Sequence, residues 1–192
     1  MKRRLSALLL AIGLPFAAGA ADFPAERIVA AASGDWNKDG ATDLAIVVTP
    51  EAGSADDNGL YVYLARPTEN RLALALSLPN SVWGGMTFFG QEPELTALAN
   101  GSFTLTTKND AVGRDRWRQT LTIAYRNTDF IVAGFTYSSY DTLGADSDGR
   151  ECDLNVLTGK GKSNRGPVAG KPLFAPLKEW NEAVARGICG LE

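Results

Sequence analysis

Histidine is absent from all 192 residues. With no imidazole to shuttle a proton or ligate a metal, Ser-His-Asp and Cys-His relays, His-bound zinc and histidine phosphotransfer are excluded together. Cysteine is scarce: Cys152 and Cys189 are the whole supply. Long apolar runs are missing as well, since only the stretch from Leu5 to Leu14 approaches one, and spanning a bilayer takes about 20 residues. No membrane span is expected. Clustered positive charge is missing too, the densest stretch being Arg114-Asp115-Arg116-Trp117-Arg118. A binder of phosphate backbones concentrates Lys and Arg on one face, so nucleic acid is not an expected partner and the cluster reads as a charged hairpin end.

At the start of the chain, Lys2-Arg3-Arg4 lead the apolar run, and Ala18-Gly19-Ala20 supply a small-residue cleavage site. Residues 1–20 therefore read as a signal peptide, removed on export to the periplasm or beyond. The rest carries 16 Lys plus Arg against 22 Asp plus Glu, formally −6. In an exported chain one cysteine pair is most simply a disulfide, the alternative being two free thiols. Closing a loop across the 37 positions between Cys152 and Cys189 is worth about 4 kcal/mol in the chain-entropy model.

One stretch carries specific chemistry. Asp35, Asn37, Asp39, Ala41 and Asp43 occupy positions 1, 3, 5, 7 and 9 of a loop that turns at Gly40. Calcium takes about 6 to 8 hard oxygens at flexible angles, so side-chain oxygens at alternate positions, with the Ala41 carbonyl and water, can wrap the ion. Gly40 stands where a positive φ is cheapest for glycine. The same residues also suit a tight Asx-type turn without metal. An EF-hand is excluded, because Ile46 stands where the closing glutamate belongs and the run Leu44–Val48 before Pro50 reads as a buried strand. The text from Ala32 to Ala45, Ala-Ser-Gly-Asp-Trp-Asn-Lys-Asp-Gly-Ala-Thr-Asp-Leu-Ala, resembles the FG-GAP or VCBS-type repeat of integrin-like propellers and secreted bacterial proteins. The resemblance covers residues 27–78 once, and implies a calcium loop joining the first two strands of a four-stranded blade. Calcium would be structural, neutralising Asp35, Asp39 and Asp43 at an affinity on the order of 10⁻⁴ to 10⁻³ M.

Elsewhere the pattern is strand-like, and residues 21–192 are expected to form one all-β domain. A first meander is predicted at 27–32, 43–49, 60–64 and 71–78, where Leu72, Leu74, Leu76 and Leu78 alternate with smaller residues. A second is predicted at 94–98, 102–108, 117–125, 130–140 and 152–158, with turns at Asn100-Gly101 and Asn127-Thr128-Asp129. Trp117, Gln119, Leu121, Ile123 and Tyr125 share one face of the third of these strands; Arg118, Thr120, Thr122 and Ala124 share the other. Two antiparallel meanders of four to five strands bury their apolar faces as a sandwich or as propeller-like blades. The run Phe135-Thr136-Tyr137-Ser138-Ser139-Tyr140 reads as a well-packed central strand, or, with one face open, as a contact surface offered by Thr136 and its neighbours. Helical spacing arises only over 176–186, where Leu177, Trp180, Ala183 and Val184 form a stripe that Gly187 ends and Trp180 anchors on the sheets.

Other signals are weak. Gly159-Lys160-Gly161-Lys162-Ser163 looks like the end of a P-loop, but Val156 stands where its first glycine is required, leaving a polar hairpin or tail. Asp146-Ser147-Asp148-Gly149 reads as an ordinary turn rather than a second calcium loop, with Gly144 and Cys152 at its first and ninth positions. Carboxylate pairs for glycoside hydrolysis can be nominated at Glu92 with Glu94 and at Asp141 with Asp146, though nothing selects them among 22 acids. The function expected is that of an exported, calcium-binding, non-catalytic module for a protein or glycan of the cell envelope. The alternatives are a periplasmic inhibitor or immunity-type protein and, further off, a carboxylate-dependent glycoside hydrolase.

Overall fold

A computed structural model describes residues 25–85, 89–144 and 149–191, so the signal segment and Asp146 to Asp148 lie outside the described residues. Among the described residues eleven strands form two antiparallel sheets. The first is a simple meander, β1 (Ile28–Gly34), β2 (Asp43–Val48), β3 (Asn58–Arg66) and β4 (Arg71–Val82), in spatial order β1-β2-β3-β4. The second holds seven strands in order β11-β10-β9-β8-β7-β6-β5: β5 (Glu94–Ala97), β6 (Ser102–Asn109), β7 (Asp115–Arg126), β8 (Asp129–Asp141), β9 (Arg150–Asn155), β10 (Lys160–Ser163) and β11 (Gly166–Ala169). The expected all-β architecture of two packed meanders with one short helix is present. The second meander is longer than expected, because Lys160 to Ser163 is a strand of a further hairpin rather than a tail.

Gly161 shows why that polar segment pairs. A Cβ there would lie 2.3 Å from the Asp153 carbonyl, so glycine lets β10 approach β9. No phosphate is needed to account for it.

The inner faces of both sheets feed one core: Ala45, Val47, Leu60, Val62 and Leu76 from the first, Phe103, Leu121, Ile123, Val132, Phe135 and Leu154 from the second. The leucine alternation of β4 does not run through. Val62 faces Leu76 but Tyr63 faces Leu74, so Ala75 is an extra residue, a β-bulge that flips the phase. Leu76 is buried while Leu72 and Leu74 point outward, 41% and 52% exposed. A second shift near Pro79 and Asn80 extends β4 beyond its predicted end at residue 78, tolerated because β4 is an edge strand. The β7–β8 hairpin turns at Asn127 and Thr128, with φ of 50° and 65°, as the turn chemistry predicts.

The helix departs from expectation at both ends. Leu177–Glu179 is a 3₁₀ turn, Trp180 is extended, and α1 runs Glu182–Cys189 with the Asn181 side chain capping the Ala183 N–H at 3.0 Å. It passes through Gly187 and ends at Gly190, whose φ of 63° takes the left-handed cap. Ala183 and Val184 face solvent, whereas Ala185 and Cys189 are buried. The Cys152–Cys189 disulfide supplies the reason, rotating α1 so that Cys189 meets β9. Trp180 anchors on the sheet as predicted, 6.5 Å from the Phe135 ring.

Candidate functional site

The loop between β1 and β2 is built from the inside out. Trp36 is 1% exposed and packs on Phe103 at 5.0 Å, which drives one end of the loop into the core. Gly34 makes room for it, since a Cβ there would lie 2.4 Å from the indole. Asp43 fixes the other end. Its Oδ2 accepts the Trp36 N–H and its Oδ1 accepts the Ala65 N–H, both at 2.8 Å, so a carboxylate with no exposed surface ties the loop to β3.

Between these anchors the polar side chains fold over their own backbone. Asp35 Oδ1 accepts the Asp39 N–H at 3.1 Å and Oδ2 accepts the Gly40 N–H at 2.9 Å. Asn37 Oδ1 also accepts the Asp39 N–H, and its amide donates to Asp39 Oδ2 at 2.8 Å. Asp39 Oδ1 accepts the Ala41 N–H at 2.8 Å, and this bond, with the Asn37 amide second, holds the Asp39 carboxyl below its ordinary pKa. Lys38 and Gly40 take positive φ, 63° and 86°. The turn of the second sheet rests against the loop: a Cβ on Gly101 would lie 3.2 Å from the Asp35 carbonyl.

The structure thus brings Asp35, Asn37, Asp39 and Ala41 together at one partly open loop and sets Asp43 apart beneath it. Among the described residues no three His, Cys, Asp or Glu side chains converge as a ready metal cluster. Fit to calcium rests on donor chemistry. Each bond to a loop amide uses one lone pair of an oxygen that has two, so Asp35, Asn37 and Asp39 keep hard acceptor capacity at the loop tip. Asp43 also accepts one amide per oxygen, and it differs from these three in being wholly buried beneath the loop tip. Neither that tie nor the anchoring of Trp36 was read from the sequence, although an aromatic between two loop acids was the available signal.

No family model, curated protein or solved structure matches this chain.

The other nominated residues are placed differently. Glu94 sits 2.5 Å from Lys108 and 3.4 Å from Arg118, and the Lys108 ammonium holds its carboxyl below the ordinary value. Glu92 precedes β5 and is exposed, its carboxyl lowered by backbone amides, its own first and that of Gly90 next. Asp141 is paired with Arg114. The charged hairpin end is balanced by Asp141 on β8, Glu94 on β5 and Asp110 just after β6. In β8, Phe130, Ile131 and Val132 are all buried, so both faces are covered there, whereas further along Phe135 is buried and Thr136 beside it is exposed.

Described residues include no helix long and apolar enough to cross a membrane. The disulfide fits a protein outside the cytoplasm.

Proposed function

We propose that the chain is an exported interaction module of the periplasm or cell surface, in which a structural calcium ion clamps the first hairpin and no chemistry is catalysed. The observation that carries this reading is the set of oxygens from Asp35, Asn37 and Asp39 gathered on one loop whose two ends are pinned by Trp36 and Asp43. These three side chains, with the Ala41 carbonyl, would hold the ion; its role is to neutralise two neighbouring carboxylates. Further support is the meander order β1-β2-β3-β4 with the loop between its first two strands, the arrangement that the FG-GAP-like text implies.

The test is calcium titration by calorimetry, paired with thermal melts in calcium and in chelator, on the wild type and Asp39→Ala. Saturable binding in the range of about 10⁻⁴ to 10⁻³ M with a raised melting point, both lost in the variant, is expected. No heat and an unchanged melt at millimolar calcium would reduce the loop to an Asx turn.

A further inference from the structure

Beyond Leu121, the inner face of the seven-stranded sheet changes character. Further in it carries Leu121, Ile123 and Phe135; toward the other end it carries Gln119 and Trp117 on β7 and Tyr137 on β8. Thr107, Gln119, Tyr137 and Cys152 lie in register across β6, β7, β8 and β9. Thr107, Gln119 and Tyr137 of this row floor a cleft of about 350 Å³, within the span of small-ligand sites, with Trp83, just past β4, on one side and α1 on the other. The wall is set by covalent chemistry, because Cys152 at the end of the row is bonded to Cys189 of α1.

The lining is aromatic with polar tips. Trp83, 38% exposed, meets Trp117 edge-on at 4.7 Å between centroids. The Arg186 guanidinium lies 4.7 Å over the Tyr137 ring, and Gln119 donates to Glu182 at 2.8 Å. Among the described residues Arg186 forms no ion pair, and the one hydrogen bond of its guanidinium is to the Leu191 carbonyl at 3.3 Å. A second lobe of about 260 Å³ shares Trp117, Tyr137 and Arg186 and adds Arg116 and Arg150 together with Asp115 and Asp141.

We infer that this cleft binds an acidic saccharide, a pyranose chain bearing carboxylates. The C–H face of a pyranose is apolar and weakly positive, which suits the π faces of Trp83 and Trp117, while its hydroxyl rim both donates and accepts, which suits Gln119 and Glu182. A carboxylate on the ring supplies the anion that Arg186 lacks, and Arg binds it as a planar fork. Glu182 keeps its negative charge one helical turn before Arg186, but its carboxylate accepts from Gln119 and forms no ion pair with Arg186, so among the described residues the guanidinium fork has no carboxylate partner. The inference deepens the module reading and rests on its claim of binding, but not on the calcium loop.

The experiment is titration of the purified protein with tri-galacturonate and with neutral cellotriose, read by tryptophan fluorescence and calorimetry in chelator, because oligogalacturonates themselves bind calcium. Saturable binding of the uronate at least tenfold tighter than the neutral sugar is expected. Arg186→Gln should bring the two affinities to parity, and Trp83→Ala, at a partly exposed position, should weaken both with the melt unchanged. No saturable uronate binding, a preference that survives Arg186→Gln, or displacement by a peptide C-terminus but not by uronate would each overturn the inference. Calcium binding measured separately tells the two readings apart: sugar bound without calcium removes the clamp alone, and calcium bound without sugar removes the cleft alone.

Discussion

Asp43→Ala separates a strut from a metal ligand. The carboxylate accepts two buried backbone donors, Trp36 N–H and Ala65 N–H, at 2.8 Å each and is wholly shielded from solvent. Hydrogen bonds to a charged acceptor are worth about 1.5–3 kcal/mol apiece, so deleting both costs on the order of 3–6 kcal/mol. A domain of this kind has about 5–15 kcal/mol in total, so the loss is a large share of it. Asp43→Asn keeps the shape and one oxygen but turns an amide NH₂ toward a second donor, for a cost of roughly 2–4 kcal/mol, and stands in if the alanine variant does not fold. Urea unfolding followed by tryptophan emission reads both, since Trp36 leaves the core when the loop opens; a constant slope certifies that stability alone has changed. Because the strut acts within the protein, the loss should be the same in chelator and in millimolar calcium. A loss below 1 kcal/mol in chelator, or one seen only in calcium, would refute the reasoning.

Gly34→Ala should destabilise by about 1–3 kcal/mol, because its methyl would meet the Trp36 ring at 2.4 Å; an unchanged urea midpoint would show that the indole moves freely. Thr128→Gly should stabilise by up to about 1 kcal/mol, since a β-branched residue at φ 65° in a two-residue turn is strained by more than glycine's added chain entropy; a fall in melting temperature would contradict this. On acidification, Asp39, Glu94 and Asp141 act with one sign. The Ala41 amide, Lys108 and Arg114 respectively hold their folded pKa values below the ordinary 3.8, 4.5 and 3.8, so the unfolded chain binds more protons in that window. Their stability is present above the ordinary values and lost as pH falls through the folded ones, giving a urea midpoint that declines below about pH 4.5; a midpoint that rises there would reverse the assignment.

Much of the fold was legible where local chemistry sets it. Asn127-Thr128 marked its turn because the hairpin needs two positive φ values, and the Leu44–Val48 run marked β2 because both its faces are covered. The bulge at Ala75 was not legible, because register belongs to the pair of strands and not to either alone. β10 was read only as a polar hairpin or tail and β11 was not read, because Val168 is the one β-branched residue between Lys160 and Ala169 and no aromatic stands there; backbone pairing extends the sheet with little side-chain burial. At the loop, a carboxylate at the ninth position reads the same whether it binds a metal or two amides, so Asp43's role was invisible in the text. The cleft draws Trp117, Tyr137 and Arg186 from β7, β8 and α1 and Trp83 from just past β4, and its one local trace was Gln119, an amide on the face that also carries Leu121 and Ile123.

The position of α1 also orders events in time. It is the last element described, and its Cys189 must find Cys152 on β9 before the wall beside Tyr137 and Gln119 is fixed. The two sheets and most of their shared core come from residues made earlier, so a chain interrupted before Asn181 would hold the body of the fold and lack one side of the cleft. On the proposed reading, recognition waits until α1 has been made and Cys152 and Cys189 have been joined, so a reduced copy, or one cut before Asn181, would lack the wall that the ligand meets.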